Sequence, residues 1–519
     1  MQYLSGNFPD SMLVAPLNFG DIFAALKSLK NKKAHINDFC PKIIKENSRL
    51  IAPALKILFD QSIQQGVFPT KLKRAVVTPL HKSNSKEDLN NYRPISQLSL
   101  FSKVFEKIMK TSLTNFLTRH KVIHPTQFGF QAGKNTNMAL NEFSKFVYSN
   151  LDSSKFVLSI FIDFAKAFDC VSHDLLFKKM EFYGIRGQII KWFKSYLDQR
   201  KQCTVYNGKC SDEHDILYGV PQGSVLGPIL FLIYISDLPN ISNIFNYILF
   251  ADDSTLYLSG QSPKQMIHIA NTEIPKLYYW CTANRLTLNI SKTHYMIFSN
   301  RRIPDNLPVL AIKYGYEYRM ISRVQHFKFL GVYFDEQLTF KYHTSHLSSK
   351  LSQIASMFHK IRNILPLFIK KILYFAHVNS LLSYCINIWG GTSPSHLKTV
   401  LITQKRIIRS LNNAQYRDHT RPLFRRNNIL NVNELYKFII LNDFFKNTIL
   451  PNNQNRPNHA YNTRNRLTII PARHRRSIYE KSFLYTAPKL FNNLPPLIRN
   501  LKTKSKFKNA LKLHLLSLN

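Results

Sequence analysis

Two apolar runs in this 519-residue chain carry acid where a buried strand would ordinarily have none. Residues 155–163 (KFVLSIFID) are apolar and β-branched between polar neighbours, which predicts a buried strand ending on Asp163. Residues 247–258 (YILF-ADD-STLYL) predict two strands around a tight acidic turn, a hairpin carrying Asp252 and Asp253. A charge in such surroundings is costly unless something neutralises it, and beyond Lys155 at the edge of the first run no Lys or Arg lies inside either strand. A divalent cation suits the need, because Mg²⁺ prefers carboxylate oxygens and keeps positions free for phosphate and water. Three carboxylates from neighbouring strands can hold two such ions about 3.5–4 Å apart, the spacing used for in-line phosphoryl transfer. Successive strand residues face opposite ways, so Asp252 and Asp253 act together only if the turn reorients them. An FADD turn by itself has a second reading, since paired acids also cap turns.

Charge narrows the partner. The chain has 71 Lys+Arg against 30 Asp+Glu, a formal charge of +41. A compact fold with that excess repels itself unless it meets a polyanion, and nucleic acid is the expected one. A membrane surface is not expected, since no basic amphipathic helix is set apart for it. The six cysteines form no Cys-x-x-Cys pair, so neither a zinc knuckle nor a disulfide framework is expected. The opening MQYLSGNFPD lacks a basic segment followed by an apolar run, and no stretch reaches the ~20 apolar residues of a membrane span. The expectation is an intracellular protein of nucleus and cytoplasm, not secreted, with roughly three or four folding units.

The first half alternates helix and strand patterns. Residues 20–30 predict a short amphipathic helix with Ile22, Leu26 and Leu29 on one face, and residues 49–65 a second, ended by Gly66 and Pro69. Residues 75–82 (AVVTPLHK) predict a strand, and residues 171–185 a helix with Ser172 as N-cap. Beyond about residue 340 the pattern is helical, with Leu347, Leu351, Ile354, Phe358 and Ile361 at helical spacing. Residues 451–466 are Asn-rich and read as a linker. From Lys446 onward there are 15 Lys+Arg against one acid, Glu480, interleaved with Tyr461, Tyr479, Phe483 and Tyr485. That mixture suits phosphate contacts with base stacking, although the same aromatics could fill a core.

Ordered blocks surround the carboxylates: FPTKLKRAVVTPLHK (68–82), NNYRPISQLSLFSKVFEKI (90–108), QFGFQAGKNT (127–136), FIDFAKAFDCVSHDLL (161–176), GVPQGSVLGPILFLIYISDLP (219–239), ILFADDSTLY (248–257), LTLNISKT (286–293) and FKFLGVYFD (327–335). In these blocks the chain resembles a non-LTR retrotransposon reverse transcriptase of the jockey-like group. The resemblance runs in order from about residue 25 to 340 and more loosely to the end. It implies an α+β right-hand polymerase: an N-terminal extension at 1–19, fingers with part of the palm at 20–150, a palm with an antiparallel sheet at 151–340, a helical thumb at 341–420, and a basic helical nucleic-acid-binding region at 421–519.

It also implies roles. Asp163, Asp252 and Asp253 match the carboxylates that bind two Mg²⁺, for which Mn²⁺ could substitute. Phe168 matches the bulky side chain that excludes a ribose 2′-hydroxyl, the one group separating the two nucleotide classes there. Gln222 and Gly223 match the loop against the nascent base pair, where the glycines and prolines of GVPQGSVLGP allow close approach. Lys82 and Arg93 match triphosphate-gripping residues, and Arg93, preceding Pro94, is biased to extended backbone. Lys292 matches a lysine that assists pyrophosphate departure, and Phe329, Leu330 and Gly331 match the block that grips the primer. Asp169 is read as structural, orienting the helix that follows. The implied partners are an RNA template, a DNA primer or target site, and deoxynucleoside triphosphates.

Two departures stand out. The stretch KKAHIND (32–38) lacks the glycine usual there. Only some twenty residues precede the first finger helix, too few for an endonuclease domain, so this chain alone is not expected to nick its target; it is either a truncated copy or is served by an endonuclease in trans. The competing readings are a catalytically idle nucleic-acid-binding remnant and an intron maturase-like protein.

Overall fold

The computed structural model describes residues 2–31, 39–82, 85–449 and 469–518; the departure at 32–38, the linker at 451–466 and Tyr461 lie outside them. The fold is mixed α/β. Its centre is a five-stranded sheet in the order Ser322–Arg323, His294–Phe298, Phe156–Ile162, Asp253–Gly260, Asn246–Phe250. All of its pairs are antiparallel except the first.

Every residue of Phe156–Ile162 is buried, as an apolar run covered on both faces must be. Strand alternation deals its side chains to two separate cores. Phe156, Leu158, Ile160 and Ile162 join a core with Phe105, Trp192, Phe231 and Trp280, drawn from the helices Leu100–Arg119, Gly187–Leu197, Gly227–Ile235 and Pro263–Ala283. Val157 and Phe161 join another with Phe143, Leu351, Trp389, Ile407, Phe444 and Phe507. The helical second half therefore shares its core with the opposite face of the sheet.

A second sheet runs Tyr92–Leu98, Arg74–His81, Arg200–Tyr206, Lys209–Cys210, with His214–Ile216 also on Arg200–Tyr206. Buried Glu106 ties this half together. Its carboxylate accepts from Ser102 Oγ (2.9 Å) and from the backbone N–H groups of Val225 (2.6 Å) and Leu226 (3.2 Å), just ahead of Gly227–Ile235. Burial pushes its pKa up, while the Arg200 charge and these donors pull it down.

Several local expectations shift. The first helix is Phe19–Lys27, so Leu29 lies past its end. The helix after Asp163 is His173–Phe182, and Ser172 precedes it without a side-chain cap. Ser172 Oγ instead accepts from Arg285 (3.4 Å), and its backbone N–H donates to the Tyr234 hydroxyl (3.4 Å). The tail aromatics are core: Tyr479 is buried, and Phe483 and Tyr485 pack against the second core. All six cysteines are free, and among the described residues no helix is long and apolar enough to cross a membrane.

Candidate active site

Phe250 pairs with Asp253, which leaves a two-residue turn, Ala251–Asp252, with Ala251 at φ 57°. A hairpin that tight needs positive φ, and here a non-glycine residue supplies it. On the other side of the strand, Ser254 pairs with Ile162. Asp163 directly follows Ile162 and Asp253 directly precedes Ser254, so the two carboxylates sit at adjoining ends of neighbouring strands. Both line a cavity of ≈ 300 Å³ with Lys292, His294, Lys328, Phe329 and Leu330.

Lys292 arrives by backbone pairing. Asn289 N–H donates to Asp163 O (2.8 Å), Ala165 N–H donates to Thr287 O (2.8 Å), and Lys292 closes the 3₁₀ turn Ile290–Lys292. The hairpin His326–Phe329/Val332–Asp335 forms another wall. Its Phe329 is 3% exposed and packs against Phe143 and Phe161, so this ring anchors the hairpin from the core. The turn Leu330–Gly331 is what remains to meet a ligand, and the Tyr384 hydroxyl holds it by donating to Leu330 O (2.7 Å).

Electrostatically the acids are under-compensated. Among the described residues none of Asp163, Asp252 and Asp253 forms an ion pair. Asp252 and Asp253 reach solvent, yet protein surrounds them on most sides, and that partial dehydration is the main reason their pKa values rise. Asp252 and Asp163 add repulsion at Asp253, which is pushed up to about 6. The Asp252 pKa is raised by burial, pulled down by its own backbone N–H, raised again by Asp163, and lowered by Arg93 and Lys82.

Among the described residues no three His, Cys, Asp or Glu side chains enclose a metal site by themselves. Mg²⁺ does not require such a cage, because it typically takes one or two carboxylates and completes its shell with phosphate and water. Crowded, unpaired carboxylates at an open cavity fit that donor set.

Lys82 and Arg93 come from the ribbon Arg74–His81/Tyr92–Leu98. Leu80 pairs with Arg93, and Lys82 N–H donates to Asn91 O (2.8 Å), so the two cations share one face. Gln222 and Gly223 dock on the same ribbon. Ser96 N–H donates to Gln222 O (2.6 Å), and Gly223 has φ 120° with Ser96 O only 2.5 Å from where a Cβ would lie. Only glycine fits there. Phe168 stacks on buried Phe231 (4.4 Å between centroids) and meets Phe130 edge-on (6.4 Å), which holds its ring in place.

Of the nominated residues, Asp163, Asp253, Lys292, Phe329 and Leu330 line the cavity, whereas Asp252, Phe168, Gly331 and the ribbon group Lys82, Arg93, Gln222 and Gly223 lie outside its lining. Spacing along the chain carries no warning of what fixes the acidic turn. Gln127 Oε1 accepts from Gly129 N–H (2.8 Å) and Ala251 N–H (3.0 Å), while Phe128 N–H donates to Leu249 O (2.7 Å). The block QFGF was visible, but its contact with the turn is non-local.

Residues 81–334, a range containing every nominated residue, match the family described as reverse transcriptase (RNA-dependent DNA polymerase). A probable RNA-directed DNA polymerase from transposon BS of Drosophila melanogaster is 26% identical over 496 residues, covering 92% of this chain and 52% of that protein. The RNA-directed DNA polymerase from mobile element jockey of the same species is 26% identical over 437 residues, covering 82% and 47%. The corresponding protein of transposon X-element is 27% identical over 419 residues, covering 78% and 45%. The chain spans about half the length of these relatives. Residues 81–334 of this chain are thus similar to reverse transcriptases, and over most of its length the chain is similar to the RNA-directed DNA polymerases of transposon BS and mobile element jockey.

Proposed function

We propose that this chain copies retrotransposon RNA into DNA by two-metal nucleotidyl transfer, primed at a DNA target. The observation that carries the reading is the cavity that unites Asp163 and Asp253, at neighbouring strand ends, with Lys292 and the Leu330 turn. The central sheet with its flanking helices is the palm, the ribbon around Lys82 and Arg93 belongs to the fingers, and the helices after residue 340 form the thumb and a basic C-terminal region.

Asp163, Asp252 and Asp253 would hold two Mg²⁺, which when bound activate the primer 3′-hydroxyl and offset charge on the leaving pyrophosphate. Lys82 and Arg93, whose charges are felt at Asp252, grip the triphosphate. Gln222 and Gly223 lie against the nascent pair, Leu330–Gly331 steadies the primer end, and the Lys292 ammonium Nζ hands a proton to pyrophosphate. The Phe168 ring blocks the position of a 2′-hydroxyl. RNA-templated primer extension by the purified chain tests the whole reading.

Phe168→Ala should relax sugar selectivity. Relieving a steric clash worth about 1–3 kcal/mol raises ribonucleotide use roughly 10- to 100-fold relative to deoxynucleotides. Competitive incorporation measures it, and an unchanged ratio removes Phe168 from the gate.

The raised carboxyl pKa values set a pH dependence. Folding favours protonated Asp253, so its contribution to stability is present below the usual carboxylate range and is lost as pH rises through about 6. The ionised carboxylates of Asp163, Asp252 and Asp253 would hold Mg²⁺ or Mn²⁺, which would offset that loss at high pH. The rise in melting temperature on adding Mn²⁺ should be larger at pH 7.5 than at pH 5. An equal rise at both pH values argues that the ion binds elsewhere.

A further inference from the structure

The side chain of Gln222 does not stand alone. Its Nε2 lies 3.0 Å from both carboxylate oxygens of Asp169. Around this contact two loops are zipped together: Val220 N–H donates to Phe168 O (2.9 Å) and Gly219 N–H donates to Val171 O (2.8 Å). Gly219, at φ 85°, lies so close that a Cβ would stand 2.7–2.9 Å from the Asp169 backbone. With Ser96 gripping the Gln222 carbonyl from the ribbon, the Gln222 backbone is held on one side and its amide on the other.

The chemistry of the pair fixes an orientation. An ionised carboxylate only accepts hydrogen bonds, so the Gln222 amide must turn its nitrogen to Asp169. Its carbonyl Oε1 then points away from Asp169, as an acceptor. An unpartnered glutamine could present either end, since the two are similar in shape and exchange by rotation of one bond. Burial pushes the Asp169 pKa up, and the Gln222 amide, Lys166 and Lys82 each pull it part of the way back.

We infer that Asp169 is a positioning residue that locks the Gln222 amide so that an acceptor, not a donor, faces the incoming nucleotide. This rests on the proposed polymerase function and replaces the expectation that Asp169 orients the following helix. Asp169 touches no substrate; it acts through Gln222.

Asp169→Asn is the test, because asparagine is isosteric yet lets the glutamine amide sit either way round. The variant should raise KM for deoxynucleotide roughly 5- to 10-fold with kcat nearly unchanged, the scale of one ordinary hydrogen bond. In a Gln222→Ala background the same change should have no further effect, since the residue it acts through is gone. Melting curves for all four proteins, and Asp169→Ala as a second variant, separate this from simple unfolding. Additive losses, or a fall in kcat with KM unmoved, overturn the positioning role while leaving the polymerase reading intact. Wild type that neither binds nucleotide on a terminated primer–template nor extends a primer overturns both.

Discussion

Asp252→Ala should reduce primer extension by at least roughly 10²- to 10³-fold, the rate equivalent of losing several kcal/mol of charge stabilisation at the reacting phosphate. The fold should survive. Asp252 occupies a turn whose geometry is set by Ala251 and by Gln127 gripping the Ala251 N–H, not by the Asp252 carboxylate. Its charge also raises the pKa of Asp253, so removing it relieves repulsion in the metal-free protein. Activity and stability should therefore part company, with extension nearly abolished and melting temperature at pH 7.5 equal or higher. A variant that melts well below wild type would show that the carboxylate is structural. One that extends at the wild-type rate would show that it is not a metal ligand.

Glu106→Leu carries the largest expected loss of stability, about 3–5 kcal/mol, the scale of leaving a buried charge uncompensated. Arg200 is 1% exposed; its Nη1 donates to Tyr196 O (3.1 Å), and its Nε and Nη2 have no hydrogen-bond partner among the described residues. Glu106 supplies the nearby negative charge and also accepts from Ser102 Oγ and from two backbone N–H groups just ahead of Gly227–Ile235. Without it, a guanidinium and two backbone N–H groups are left buried and uncompensated. Denaturant titration measures the loss. Adding Arg200→Leu should recover part of it, because apolar replacement of both partners is far cheaper than removal of one. A single variant within about 1 kcal/mol of wild type contradicts this role, since ordinary surface changes fall in that range.

What the sequence made legible was local. The run ending at Asp163 and the hairpin around Asp252 and Asp253 form where period and turn chemistry place them. Period alone could not say that the faces of Phe156–Ile162 would enter two different cores, one built from helices hundreds of residues away. Phe329 illustrates the same gap. Its block was recognised, but only packing against Phe143 and Phe161 shows that the ring serves the core while the next two residues turn outward. The tail aromatics failed in the opposite direction, because charge interleaved with aromatics describes both a nucleic-acid surface and a basic helix over a core. Asp169 and Gln127 were in view within their blocks, and their partners Gln222 and Ala251 lie too far along the chain for spacing to connect them.

The most direct measurement is extension of a DNA primer on a defined RNA template by the purified chain, with Mg²⁺ and one deoxynucleotide at a time. The expected result is metal-dependent addition of the nucleotide complementary to the next template base, lost on chelation and in Asp252→Ala. Salt-sensitive binding of the same primer–template without any addition, or addition that Asp252→Ala performs equally well, would contradict the account.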